Sequence, residues 1–253
     1  MKKIPLLLSL FLSLMYLSSC DLEDIVPSTD GNLTNDDIVA GLKKALEVGT
    51  DTSVSILTAQ DGYFKDELVK VLLPAEAKPI LDGVNDLKKY VDLQPLIDDV
   101  VLSMNRSAEK AAVKAKPIFT DAILNMTVTD GVEILYGEDN AATTYLSTNT
   151  YTGLKEAFSP DIKAVLDEPI IGSNSTESLY TSLVSKYNTG VQAYNTANIL
   201  GILGEDKKEI TGSSLTDHVT TKALDGLFLK VEAEEKDLSL IHISEAHETR
   251  HDL

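Results

Sequence analysis

Apolar residues recur three and four positions apart along most of the chain, and that period predicts helices rather than strands. Ile38, Leu42, Ala45 and Leu46 share one face of a helix from Thr34 to about Ala59, and Val54 and Leu57 continue the stripe past Gly49. Thr34 with Asp37 three residues on resembles a capping box. Asp61-Gly62 reads as a turn. Val69 to Leu73, ending at Pro74, reads as extended but too isolated to suggest a sheet. Helices follow over about 75–90 and 94–115. In the second, Ile97, Val101, Met104, Ala108, Ala111 and Ala115 form a stripe whose small members predict close packing against a neighbour.

Pro117 opens a helix over Ile118–Asn125. Thr129 and Asp139 are the expected caps of two short helices divided by Gly137, and Pro160 and Pro169 are expected to break the middle into further short helices. Ser175 starts a helix to about Tyr194, and residues 201–214 form a Gly-, Ser- and charge-rich loop. Ser214 caps the last helix, with Leu215, Val219, Ala223, Leu227 and Val231 along one side. Alternating βαβ units, Gly-rich phosphate loops and internal repeats are absent from the sequence. The pattern predicts an all-α fold, one multi-helix globular domain of about eight helices over residues 33–237.

The first twenty residues follow a different pattern. Lys2 and Lys3 precede a fourteen-residue apolar run, Ile4 to Leu17, which ends in Leu17-Ser18-Ser19-Cys20. A bilayer span needs about 20 apolar residues, so the run has the layout of a secretory signal peptide. Leu-Ser-Ser-Cys resembles the lipobox of bacterial lipoproteins. That resemblance implies cleavage after residue 19, a diacylglyceryl group on the Cys20 thiol and acylation of the new amine. Several acyl chains on one residue make a stable anchor. An ordinary signal peptide and an uncleaved N-terminal anchor are the plainer alternatives. Residues 20–32, with Asp21, Glu23 and Asp24 and then Pro, Ser, Gly and Asn, read as a flexible lipidated tether. The expected location is the bacterial cell envelope, on the outer membrane facing the periplasm or the cell surface rather than on the inner membrane. The membrane, held through the N-terminal lipid, is therefore an expected partner.

The last sixteen residues, 238–253, stand apart as well. Leu238 to Ser244 translate from CTG TCT CTT ATA CAC ATC TCC, a string resembling a transposase sequencing adapter. One inserted base continues the match through Glu245, Ala246, His247, Glu248 and Thr249. The segment is expected to be adapter-encoded, with few apolar contacts and no metal role for His242, His247 or His251. The natural C-terminus is then expected to be missing.

Composition narrows the partners. The net charge is −18, and removing Lys2, Lys3 and Arg250 together with Glu245, Glu248 and Asp252 leaves it unchanged. Such a charge opposes phosphate backbones and argues against nucleic acid. The chain has no Trp, so aromatic platforms for sugars are scarce, and with Cys20 lipidated no disulfide or thiolate nucleophile is left.

Arg106 is the sharpest chemical lead. It is the sole arginine between Asp21 and Asp237, against eighteen lysines in the same stretch. Arginine binds a carboxylate or phosphate with two parallel bonds, which lysine cannot do. Asn105 and Glu109 flank it on one helix, and Arg106 points away from the Ile97–Met104–Ala108 stripe. The cluster reads either as a ligand site or as an interhelical salt bridge with Asp121 or Asp225. Gly226, inside an otherwise strong helix, predicts close packing against it. His218, the one histidine outside the tail, suits a solvated or capping role. Glu232, Glu234 and Glu235 read as a solvated face and lack the spacing of a calcium loop. No catalytic residue, metal site or cofactor is assigned.

GLKKALEVGT (41–50), DGYFKD (61–66), LSMNRSAEKAAVKAKPIF (102–119), DAILNM (121–126) and TKALDGLFLKVEAEE (221–235) together resemble a bacterial family, domain of unknown function 4197. The likeness runs over about residues 38–236 and is weakest over 172–214. It implies a secreted helical domain, often lipid-anchored, with no catalytic residues to carry over. Two functional classes follow. One is a non-catalytic envelope protein that binds a protein partner or a small ligand; the other is an envelope hydrolase using carboxylates that sequence does not pair.

Overall fold

The computed structural model describes residues 34–171, 173–211 and 214–248, the last ten as helix backbone. Cys20, the signal segment and the tether lie outside the described residues. So do the side chains of His242, His247 and His251.

The helices are α1 (Asn35–Thr58), α2 (Lys78–Leu87), α3 (Gln94–Ala112), α4 (Ala115–Leu124), α5 (Val128–Leu135), α6 (Ala141–Asp167), α7 (Thr176–Ala197) and α8 (Leu215–Glu248). A 3₁₀ turn, Ala75–Ala77, leads into α2. The all-α reading of a single globular domain therefore stands. Two very short strands, β1 (Pro169–Ile171) and β2 (Asn174–Ser175), pair antiparallel between α6 and α7. Among the described residues no helix is long and apolar enough to cross a membrane.

α1 opens on the expected capping box, with Thr34 and Asp37 each bonding the other's backbone N–H. α5 uses the same device two residues earlier than expected: Thr127 and Asp130 form its box, and Thr129 lies inside the helix. Thr127 and Asp130 carry the same spacing as Thr34 and Asp37, and their reciprocal bonds fix the boundary. α4 begins at Ala115, so Pro117 sits within its first turn, where its missing N–H costs nothing.

The larger correction concerns α6. It is one 27-residue helix that passes through Pro160. A proline inside a helix costs about 3 kcal/mol, but buried residues on both sides of it offset that. Leu154 and Phe158 precede it, and Ile162, Val165 and Leu166 follow. Nor does Asp139 cap this helix. Asn140 occupies the cap position without a side-chain bond, and Glu235 of α8 takes over that role. Its carboxylate accepts from Ala142 N at 2.8 Å, Thr143 N at 2.9 Å and the Thr143 hydroxyl at 2.6 Å. Glu235 is thus a helix cap rather than part of a solvated face.

α8 packs along α1 and α6 and ties the body together. Its predicted stripe, Leu215 through Val231, is buried throughout. Leu238, half-buried, lies over Gly49 of α1, so the first residue of the expected adapter segment does touch the domain. α3 lies between this group and a second one made by α2 and α7. There the Ser103 and Thr176 hydroxyls bond each other, and the ring of Tyr187 comes up to Gly83.

Three glycines separate packing from propensity. A methyl on Gly131 would stand 2.6 Å and 2.7 Å from the two γ carbons of Val39, whereas one on Gly41 or Gly153 would meet nothing within 4 Å. Gly153→Ala and Gly41→Ala should each stabilise by about 0.5–1 kcal/mol. Gly131→Ala should destabilise, because overpacking costs roughly 1–3 kcal/mol. Urea unfolding of the three variants checks this; equal shifts of one sign would contradict the packing at the α1–α5 crossing.

Candidate functional site

The segment between α1 and α2 has backbone groups to satisfy and, among the described residues, no strand to pair with. Side chains of α3 and α8 supply the partners. Asn105, fully buried on α3, accepts from Val71 N with Oδ1 at 2.8 Å and donates to Val71 O with Nδ2 at 2.8 Å. The amide thus pairs with one residue as a neighbouring strand would. Its second N–H goes to Val101 O at 2.7 Å.

One turn further, Glu109 is buried with Oε1 accepting from the backbone N–H groups of Tyr63 (3.3 Å) and Phe64 (3.4 Å). Its Oε2 accepts from Arg106 Nη1 at 2.6 Å, and Arg106 Nη2 donates to Asp61 Oδ1 at 2.5 Å. Asp61 itself sits at φ +69°, a left-handed turn position that aspartate tolerates, and also receives Lys65 Nζ at 2.7 Å. The guanidinium carbon stands 5.9 Å from the centre of the Phe64 ring.

α8 closes the other side. A methyl on Gly226 would come within 3.0 Å of the Tyr63 ring and of Val69 Cβ, so the expected close approach is real and these two residues make it. The Tyr63 hydroxyl donates to Ala223 O at 2.8 Å, and Lys230 pairs with Asp66 at 2.5 Å. His218 Nε2 lies 2.8 Å from Leu72 O. A carbonyl only accepts, so that nitrogen carries the proton, and the ring ties a distant backbone group instead of capping its own helix or standing in solvent.

Asn105, Arg106 and Glu109 therefore all hold the segment between α1 and α2, but the expected partners Asp121 and Asp225 do not. Asp225 pairs with Lys222 at 2.9 Å, on the exposed side of α8. Asp121 faces an open cleft of about 530 Å³ between α4 and α6, with Asn125, Asp130, Tyr145 and Asn149. The reason is packing rather than distance along the chain: Asp61, 45 residues from Arg106, is brought to it by the segment laid across α3, while Asp121, nearer in sequence, faces the cleft between α4 and α6. Sequence reading missed Asp61, Tyr63, Asp66 and Lys230. The signal available was their place in DGYFKD and TKALDGLFLKVEAEE, the segments that carry the family likeness.

The electrostatics fit a structural clamp. The Lys65 ammonium and then the Arg106 guanidinium hold the Asp61 carboxyl below its ordinary range. The bond from Lys230 does the same for Asp66. Glu109 and Asp61 push Arg106 further up. Burial, helped by the Glu109 charge, drives the Tyr63 hydroxyl far above its usual value, so it stays a donor. Asp130, in the Asp121 cleft, is held low by its bonds to Thr127. Among the described residues no group of three or more His, Cys, Asp or Glu is placed to hold a metal ion.

Asn105→Leu strands Val71 N and Val71 O in the interior, and each stranded group costs about 1–3 kcal/mol. Chemical unfolding should show a loss of at least about 2 kcal/mol, and a near-neutral result would refute the clamp. The carboxylates set a pH dependence whose sign follows from their lowered folded values. Their stabilisation is complete above the unfolded aspartate value near pH 4 and is lost as pH falls through the lower folded values. Thermal melting should drop below about pH 4, and the drop should shrink in the Asp61→Asn, Asp66→Asn double variant.

A family model described as protein of unknown function (DUF4197) matches residues 32–240. No curated protein and no solved structure matches the chain. The three segments that interlock around Arg106 all fall within the matched span, which runs from just ahead of α1 far into α8; the chain belongs to the DUF4197 family.

Proposed function

We propose that this protein is a lipid-anchored component of the bacterial cell envelope whose helical domain binds a protein partner or small ligand and carries out no catalysis. The observation that supports this most is where the polar groups go. Glu109, the buried Asn105 and His218 close backbone groups of residues 61–73, and Arg106, the one arginine ahead of residue 238, ties Glu109 to Asp61 at the start of the same segment. A general acid or base needs a titration range near neutrality and reach into an open cleft. Asp61, Asp66 and Asp130 are instead held low by their partners.

Attachment through Cys20 rests on the lipobox. Membrane binding through acyl chains on one residue needs no spanning helix, and the tether leaves the domain free to turn. The charge of −18 keeps the domain soluble at the membrane and turns it away from nucleic acid.

Labelled palmitate should appear on the wild-type protein and be absent from Cys20→Ala, which should leave the membrane fraction. Cys20→Ala protein that still fractionates with membranes would overturn the anchor. A pull-down on the anchored full-length protein should recover a saturable partner or a co-purifying ligand. Hydrolysis of an envelope substrate that is lost in Asp121→Asn would overturn the non-catalytic reading.

A further inference from the structure

The turn after α7 presents Ile199, Leu200 and Ile202 at about 80% exposure, with Leu203 half-exposed beside them. Gly201 and Gly204, at φ +67° and +108°, bend it. Exposed apolar side chains on a loose loop would mean little, but this turn is firmly mounted. Asn198 accepts from Leu203 N and donates to Gly204 O, both at 2.8 Å. Asn195 pairs both backbone groups of Lys207 at 2.9 Å, and Asn188 pairs those of Ile210 at 2.9 and 3.0 Å. The hydroxyls of Tyr194 and Tyr187 bond Leu203 O and Lys208 O. The backbone is satisfied from α7, and the aliphatic side chains are left pointing outward.

We propose that this tip inserts into a lipid surface, so that the domain touches the membrane at a second point besides Cys20. The inference rests on the anchored reading above and names a surface for it. Four aliphatic side chains on a convex turn suit acyl chains, which need no matching shape. The surroundings suit the headgroup layer. Half-buried Tyr90 meets, edge-on at 6.3 Å, the buried ring of Tyr194 that mounts the turn, and Lys207, paired with Asp86 at 2.7 Å, lies 5.1 Å from the centre of that ring. Exposed Lys88 and Lys89 adjoin Tyr90 in the chain. Tyrosine and lysine are side chains that settle at a membrane boundary with their polar ends in water. The turn itself, Ile199 to Gly204, carries no charge, and Glu205, Asp206 and Glu209 after it stand beside Lys207 and Lys208, in a chain whose net charge is −18. Residues 20–33 can extend roughly 45 Å at about 3.3 Å per residue, enough slack for the body to lie along the leaflet that holds Cys20.

The test uses the mature, full-length lipidated protein in vesicles of phosphatidylethanolamine and phosphatidylglycerol. With Cys20 acylated, Ile202→Cys supplies the one free thiol for an environment-sensitive fluorophore. Its emission should shift to the blue and be quenched by doxyl-labelled lipids, while a label at Thr152→Cys, exposed on α6, should show neither. A water-like spectrum at Ile202→Cys in protein that stays on the vesicles overturns the tip and leaves the anchored reading intact. Protein that does not stay on the vesicles overturns both. A blue shift without lipid quenching that grows with protein density assigns the tip to a second copy of the chain and overturns the lipid assignment.

Discussion

The fold depends on how the chain from Asp61 to Leu73 satisfies its backbone. Where the segment goes inside, at Tyr63, Val69, Val71 and Leu73, its N–H and C=O groups cannot stay unpaired, since each costs about 1–3 kcal/mol. Among the described residues no strand lies beside it. α3 supplies Asn105 and Glu109, and α8 supplies His218. The Gly226 notch then admits Tyr63, whose hydroxyl ends on Ala223 O. α1, α3 and α8 are thereby held in register by one loop, and the apolar stripes of the same helices close over it.

The same solution recurs elsewhere. Along α7, Asn188, Asn195 and Asn198 hold the extended chain 203–210 by pairing its N–H and C=O groups. At helix starts, carboxylates arrive from other elements: Glu235 closes α6, and Glu177 accepts from Leu215 N at 3.0 Å to close α8. Much of this chain's polar inventory looks like chemistry in one dimension and turns out to be tertiary hydrogen bonding. That accounts for carboxylates and amides at positions where a catalytic reading would look for them.

The isolated arginine has the same explanation. Arg106 bridges Asp61 and Glu109 with two nitrogens of one planar group, a geometry lysine's single ammonium does not reproduce. Position 106 is where two carboxylates from different elements are bridged at once. The surfaces left for partners are then of another kind, an aliphatic tip beyond α7 and open polar clefts beside α4 and α6.

Local information determined the helices, because periodicity and capping act within a few residues. The Thr34 box, the stripes of α3 and α8, the Ser175 start and the close approach at Gly226 are all written in the sequence at that range. Pro160 shows the limit: local propensity breaks α6, and burial on both sides of it restores the helix. Partnership was the part only tertiary structure decided. Arg106 took Asp61 rather than Asp121 or Asp225, and Glu235 became the cap of a helix more than ninety residues away. Periodicity tells a residue which face it occupies; which group stands opposite depends on how distant segments pack, and that is set by the burial of the whole core.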